Sequence, residues 1–211
     1  EGMVSPALQA RLCHILAQRL PQERAGSDGA VDMLSVVAAL CDTPRGLAAL
    51  QRSSQFAAAV AHVATNLHTQ HQPSKLAALS VIVSATRSAA LACRADASDE
   101  TASAAAGVLQ QALTPLVPAV VKLTRVPILE ERIGALCCCR SLAMHRWGVQ
   151  ALFAELGFVQ FIIDRKEESS KRGLEEKYEV VREALAHADI GQVLGADNHS
   201  VLVAFVSDGA Y

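Results

Sequence analysis

Two stretches of the chain carry the same pattern of small and apolar residues, 102 positions apart. The first is RGLAALQRSSQFAAAV (45–60) and the second is WGVQALFAELGFVQFI (147–162). In both, a glycine precedes an Ala-Leu pair, and a phenylalanine follows that pair at the same distance. Self-similarity at a fixed offset is typical of repeat architectures. The pattern predicts a unit made of a long helix, a short helix opened by glycine and a third helix opened near phenylalanine.

Composition favours helices. Apolar residues make up 51% of the 211 positions and aromatic residues only 4%, so the core must be aliphatic. Ala and Leu dominate, and the alternation typical of strands hardly occurs outside 117–121 and 201–206. We predict an all-α fold, an armadillo/HEAT-like α-solenoid in which about four repeats form a right-handed superhelix. We expect one domain over 1–211, forming the C-terminal part of a longer protein.

Helices separated by short breaks are predicted along the whole chain. Pro6, Pro44, Pro115 and Pro127 stand where a first helical turn tolerates a missing N–H. The predicted helices cover 6–20, 29–41, 44–52, 54–69, 74–93, 99–113, 115–125, 128–146, 148–156, 158–165, 173–187, 189–195 and 198–207.

Charge and cysteine usage exclude several classes of protein. The net charge is -2, from 19 basic and 21 acidic residues, so no broad positive field would attract nucleic acid. No run of 18 uninterrupted apolar residues and no secretion signal occurs, and neither a membrane span nor secretion is expected. The six cysteines lack the spacing of a disulfide framework, which favours the cytosol or the nucleus. We expect no cofactor and a monomer apart from its partner.

The stretch RIGALCCCRSLAMHRW (132–147) holds three consecutive cysteines. Consecutive side chains on a helix splay apart, so they cannot turn towards one metal ion. Cys138 and His145 share a face but lie about 10 Å apart, too far for activation of a nucleophile. We interpret the cysteines as small hydrophobes inside a helix. Cys138, on the polar edge, is expected to react fastest with an alkylating reagent, and fast labelling would revive a thiol enzyme or redox sensor.

Third helices usually line the concave groove of armadillo-like stacks. In 54–69, apolar side chains form one stripe and polar side chains share another face. We predict no catalytic residue and no metal ligand, and instead a ladder of partner-binding residues: Gln55, His62, Asn66, Lys122, Arg125, Gln160 and Asp164. The alternative is that any amphipathic helix needs a solvated face. The charged stretch 164–177 is interpreted as a solvated connection, with a binding loop as the alternative.

The last third of the chain carries a resemblance to a known family. WGVQALFAELGFVQFIIDRKEE, EEKYEVVREALAH, ADIGQVLG and VSDGAY follow one another between Trp147 and Tyr211. These ordered motifs resemble the C-terminal region of the proteasome non-ATPase regulatory subunit 5 family. The chain departs from the family pattern at Ala210, where proline is expected, and no family binding residue is carried over to this chain position by position.

The resemblance implies a cytosolic, non-enzymatic, armadillo/HEAT-like chaperone. Such a protein holds the C-terminal domain of a proteasomal ATPase subunit while the regulatory-particle base is assembled, and it leaves the finished particle. The alternative is a generic armadillo/HEAT-type adaptor that binds another protein or peptide in its concave groove.

Overall fold

The computed structural model describes residues 6–53, 55–95 and 100–211, and every regular element in these ranges is a helix. The described chain divides into two compact units, 1–113 and 114–211. The all-α prediction is confirmed, and the predicted helix bounds agree with the structure to within a few residues. The valine-rich stretches 117–121 and 201–206 are helical as well. One domain over 1–211 stays a prediction.

Among its described residues, the first unit contains six α-helices. They are α1 (Pro6–Arg19), α2 (Asp28–Cys41), α3 (Pro44–Arg52), α4 (Gln55–Leu67), α5 (Gln72–Ala95) and α6 (Glu100–Leu113), with a short 3-10 helix at Leu20–Gln22. Helix α5 is central, because it packs against α2, α3, α4 and α6. Leucines from all six of these helices are almost fully enclosed, among them Leu16, Leu34, Leu47, Leu67, Leu79 and Leu109.

The second unit contains seven α-helices. They are α7 (Val117–Leu123), α8 (Leu129–Ala143), α9 (Arg146–Ala154), α10 (Phe158–Ile163), α11 (Lys171–Leu185), α12 (Ile190–Leu194) and α13 (Ala196–Ser207), with 3-10 helices at Thr114–Leu116 and Arg165–Glu167. Helix α8 packs against α7, α9 and α11, and α11 also packs against α13. The single tryptophan, Trp147, lies in α9 with its indole nitrogen buried and its ring 5.5 Å from that of His145.

Local hydrogen bonds explain where several helices begin. The hydroxyl of Ser27 accepts from the N–H of Ala30 at the start of α2, and that of Thr43 accepts from Gly46 at the start of α3. Ser170 accepts from Gly173 at the start of α11. Side-chain caps of this kind satisfy backbone donors that have no partner within the helix.

The two similar stretches have matching local geometry around a glycine. A Cβ placed on Gly46 would lie 2.1 Å from the carbonyl oxygen of Leu40, at the end of α2. A Cβ placed on Gly148 would lie 2.0 Å from the carbonyl oxygen of Leu142, at the end of α8. Only a residue without a side chain can approach the preceding helix this closely, so glycine is required at both positions.

The same correspondence continues beyond each short helix. The N–H of Ser53 donates to the carbonyl of Leu50 at 3.0 Å, and that of Glu155 donates to Leu152 at 3.2 Å. A further hydrogen bond of a turn follows in each unit: the N–H of Phe56 donates to the carbonyl of Ser53, and the N–H of Phe158 donates to the carbonyl of Glu155. Next along the chain, α5 packs against α2, and α11 packs against α8. The sequence match therefore has a structural counterpart in each unit.

Two helical segments of the described chain are long and apolar enough to cross a membrane, judged by length and composition alone. They are Gln72–Ala95 and Ser103–Leu123, and the bent pair α2–α3 would make a third if it counted as one span. In Gln72–Ala95, 56% of the apolar window is buried inside the protein. The absence of a membrane span stays a prediction.

Replacing Gly148 by alanine is expected to lower the free energy of unfolding by roughly 1–3 kcal/mol, because the new methyl group must displace backbone rather than a flexible side chain. Gly107, inside α6, has nothing within 4 Å of a Cβ, so Gly107→Ala should instead stabilise by roughly 0.5–1 kcal/mol. Urea unfolding of both variants measures these two changes in the free energy of unfolding. A Gly148→Ala variant as stable as the parent would contradict the close approach.

Candidate functional site

The predicted partner-binding residues of the first unit differ in exposure. Gln55 and His62 are partly exposed, whereas Asn66 is completely buried. The amide of Asn66 donates to the carbonyl of His62 at 2.8 Å, and its Oδ1 accepts from the N–H of Gly26 at 2.9 Å. Asn66 therefore holds the loop before α2 against α4. The expectation that it lies on an exposed face is corrected, because the loop backbone needs an acceptor there.

The predicted residues of the second unit lie close to the ends of α7 and α10. Lys122 and Gln160 are exposed. Arg125 is exposed too, but its Nη2 donates to the carbonyl of Gly157 at 2.9 Å and its guanidinium lies 5.0 Å from the centre of the Phe161 ring. The carboxylate of Asp164 accepts from the N–H of Lys166 at 2.8 Å. Partner binding by Gln55, His62, Lys122, Arg125, Gln160 and Asp164 stays a prediction.

A cleft of about 480 Å³ opens beside Arg125. We call it the Arg125 cleft, and it is lined by Thr124, Arg125, Val126, Pro127, Arg132, Phe161, Glu167 and Ser169. Its walls are the loop after α7, the first turns of α8, helix α10 and the segment that follows α10. Cationic, apolar and acidic side chains therefore meet in one open depression, which suits a protein surface better than a small apolar ligand.

Arg132, which lines the Arg125 cleft, forms an ion pair with the buried Glu168. Nε of Arg132 donates to Oε2 of Glu168 at 2.7 Å, and Nη2 donates to Oε1 at 3.2 Å. Oε1 also accepts from the N–H and the hydroxyl of Ser170. Burial alone would raise the pKa of Glu168, whose side chain is 1% exposed, but the hydrogen bonds from Arg132 and Ser170 outweigh it and the pKa is lowered.

Lys177 closes the end of α10. It is 1% exposed, and its Nζ donates to the carbonyl oxygens of Phe161 at 2.7 Å and Asp164 at 2.8 Å. The same ammonium lies 4.0 Å from the centre of the Phe161 ring. Burial lowers the pKa of Lys177, although Glu167 and Glu168 nearby favour its charged form. One buried lysine thus holds α10 against α11.

These contacts correct the interpretation of 164–177 as a solvated connection. Glu168 and Lys177 are buried, and their partners anchor the segment to α8 and α10. Arg132 and Glu168 lie 36 positions apart, so local periodicity carries no signal for their pairing. The glycine at position 173 is a feature of the sequence that is related to this packing. A Cβ on Gly173 would lie 2.3 Å from the Glu168 carboxyl carbon, so the buried carboxylate needs a residue without a side chain there.

The cysteine cluster is placed differently from the prediction. Cys138 is fully buried, and Cys137 is the partly exposed member of the cluster. The polar side chains of Glu131, Ser141 and His145 are buried as well. The prediction that Cys138 lies on the polar edge is therefore wrong. A prediction from polarity assigns the polar side chains of α8 to solvent. In the structure, neighbouring helices pack on the side of α8 that carries Cys138 as well.

The thiols of this cluster are poorly suited to nucleophilic chemistry. Burial and the neighbouring Glu176 carboxylate raise the pKa of Cys137 to about 11. Burial raises the pKa of Cys139 as well. Within 6–53, 55–95 and 100–211, no group of three or more His, Cys, Asp or Glu side chains could hold a metal ion.

The fold and its sites thus define an all-α protein with two helix triplets of matching local geometry. Residues 5–211 match the family described as proteasome non-ATPase 26S subunit. Similar curated proteins include the human 26S proteasome non-ATPase regulatory subunit 5, which is 29% identical over 85 residues, 40% of this chain and 17% of the human protein. The mouse protein of the same name is 32% identical over 65 residues, 31% of this chain and 13% of the mouse protein.

Because the family match covers nearly all of the sequence, the chain belongs to the proteasome non-ATPase 26S subunit family. The resemblance found in the last third of the sequence is confirmed, and it extends over both structural units. The aligned segments span less than a fifth of the length of the human and mouse relatives.

Glu168→Gln is expected to lower the free energy of unfolding by about 3 kcal/mol at neutral pH, because it leaves Arg132 largely buried without its counter-charge. The lowered pKa of Glu168 stabilises the folded state above the pKa of the unfolded chain. This stability is lost as pH falls through the folded pKa, so acid should narrow the difference between parent and variant. Urea unfolding at several pH values measures it.

The exposed neighbour Glu167 provides the matched control. Glu167→Gln should change the free energy of unfolding by no more than about 0.5 kcal/mol. Equal effects of the two substitutions on the free energy of unfolding would show that the ion pair between Arg132 and Glu168 does not stabilise the second unit.

Among the three consecutive cysteines of the native protein, Cys137 should be alkylated first, with Cys138 and Cys139 protected by burial. Because the pKa of Cys137 is raised to about 11, its labelling should be slow at neutral pH and accelerate as pH rises. Mass spectrometry of a maleimide time course measures both effects, with the urea-unfolded chain as control. Fast labelling of Cys138 at neutral pH would contradict the structure.

Proposed function

We propose that the chain is part of a non-catalytic chaperone that assists assembly of the proteasome regulatory-particle base. It holds the C-terminal domain of an ATPase subunit by covering its surface. It acts in the cytosol or the nucleus, with a protein partner rather than nucleic acid or a membrane, and it needs no cofactor.

The single observation that carries this proposal is the family match over 5–211. The similar human and mouse proteins are named as non-ATPase regulatory subunits of the 26S proteasome. A role without bond chemistry is supported by the cysteine cluster, because burial places Cys138 and Cys139 out of reach and raises the pKa of Cys137.

The proposal includes an armadillo/HEAT-like solenoid of about four repeats in a right-handed superhelix. Its support is the shared geometry of α2–α3–α4 and α8–α9–α10, with Gly46 and Gly148 at equivalent close approaches. In each unit a further long helix then packs on the first helix of the triplet. Rigid stacked helices present an extended surface, and a specific protein partner would cover at least about 1,000 Å² of combined surface.

Lys122 is the cleanest of the predicted contact residues to test. It is exposed in the last turn of α7, and among the residues that the structure describes its ammonium makes no ion pair. Arg125 is less suitable, because it also holds Gly157 and contacts Phe161, so that its reversal would disturb the fold.

Lys122→Glu is expected to weaken binding to the ATPase C-terminal domain by about tenfold and to leave the urea midpoint unchanged, because reversal of a rim charge acts mainly on association. Arg24→Glu, an exposed reversal in the first unit, is the control and should bind like the parent. The full 211-residue chain is titrated with purified C-terminal domains of the proteasomal ATPase subunits by calorimetry.

The same titration tests the proposed function. Binding of at least one ATPase domain supports it, whereas no binding by the folded chain contradicts it. In a separate capture from lysate, an unrelated protein whose binding is weakened by Lys122→Glu would support the adaptor alternative. Binding that Lys122→Glu leaves unchanged would remove Lys122 from the contact surface without removing the chaperone.

A further inference from the structure

Leu156 is the most exposed large apolar side chain in the described part of the chain. It is 97% exposed, whereas the other exposed large apolar side chains range from 41% to 63%. Those side chains keep part of their surface in contact with the protein, but Leu156 keeps almost none. It sits in the turn between α9 and α10, where the N–H of Phe158 donates to the carbonyl of Glu155 at 3.1 Å.

The turn that carries Leu156 is held in place. Gly157, the residue after it, has φ of +74°, a conformation that glycine adopts without strain. The carbonyl of Gly157 accepts from Arg125, whose guanidinium lies over the Phe161 ring. Lys177 in turn holds the carbonyl of Phe161. Leu156 therefore projects from a fixed base, and little order has to be gained when it binds.

The fold does not require a leucine at this position. A side chain that is 97% exposed contributes almost no packing to its own unit. The equivalent position of the first similar stretch, 102 residues earlier, is Ser54, a polar residue. The sequence pattern shared by the two stretches thus does not require a leucine at this position.

One cationic side chain binds the Leu156 turn, and a second lies three positions earlier along the chain. Arg125 binds the turn directly and remains exposed, and Lys122 is exposed in the last turn of α7. Arg125 also lines the Arg125 cleft, together with the apolar Val126 and Pro127 and the acidic Glu167. An exposed leucine with cationic side chains nearby fits a partner surface that has an apolar pocket and negative charge around it.

We infer that Leu156 anchors a protein-docking surface. Its partner offers an apolar pocket for one leucine side chain, with carboxylates at the rim that pair with Lys122 and Arg125. The inference rests on the proposed function and deepens it, since it assigns this chemistry to the surface of the ATPase subunit that the chaperone holds. A single exposed leucine gives too little apolar area for stable membrane attachment.

The test compares four full-length chains: the parent, Leu156→Ser, Leu156→Met and Leu91→Ser. Leu91, 51% exposed on α5, is the matched control for loss of an exposed leucine. Each chain is titrated with the ATPase domain that the parent binds, at low and high ionic strength. Leu156→Ser should weaken binding at least tenfold, while Leu156→Met and Leu91→Ser bind like the parent. Urea midpoints of the parent and the two Leu156 variants should agree, whereas that of Leu91→Ser should be lower because Leu91 is half-buried.

Salt and vesicles separate the remaining outcomes. Affinity of the parent should fall as ionic strength rises, as expected for carboxylates facing the two cations. Equal binding by Leu156→Ser and the parent would overturn the inference and leave the proposed function standing. If the parent binds no ATPase domain, the proposed function fails and the inference with it. The parent chain is also tested with phosphatidylserine vesicles. If it binds them and Leu156→Ser does not, the inference that Leu156 docks into a pocket of a protein partner is overturned.

Discussion

A helix resting on the backbone of the preceding helix is the contact on which both triplets depend. At Gly46 and Gly148 the short second helix approaches the last carbonyls of the long first helix to a distance that no side chain permits. This approach sets the sharp turn between the two helices and thereby directs the third helix. The core then fills the remaining space mainly with leucine, valine and alanine, joined in the second unit by a few phenylalanines such as Phe158.

The second unit adds a polar core to this scheme. Arg132 and Glu168 join α8 to the segment after α10, and Lys177 joins α10 to α11. Buried charges of this kind are stable only when nearly all their hydrogen bonds are made, which fixes one arrangement of the surrounding backbone. The walls of the Arg125 cleft are therefore rigid. A rigid cleft beside a fixed turn is a surface that can be recognised with little loss of conformational entropy.

Much of the fold could be predicted from the sequence, because helix period, proline and capping residues act locally. The burial of individual side chains could not. Asn66 and Cys138 looked solvent-facing on a helical wheel, yet both are buried, since a wheel shows one helix and not its neighbours. The pairing of Arg132 with Glu168 joins distant parts of the chain. For the candidate site, helical periodicity predicts the exposure of Lys122 and Gln160, whereas the apolar pattern of the repeat carries no signal that Leu156 is exposed.

The position of Trp147 has a practical consequence. It is the only tryptophan in the sequence, and it lies in α9 of the second unit with its indole nitrogen buried. Intrinsic emission excited at long ultraviolet wavelengths therefore reports on that unit alone, while far-ultraviolet circular dichroism reports on the helices of both. Comparison of the two signals during thermal unfolding of the unlabelled native chain therefore shows whether the two units unfold together or one after the other.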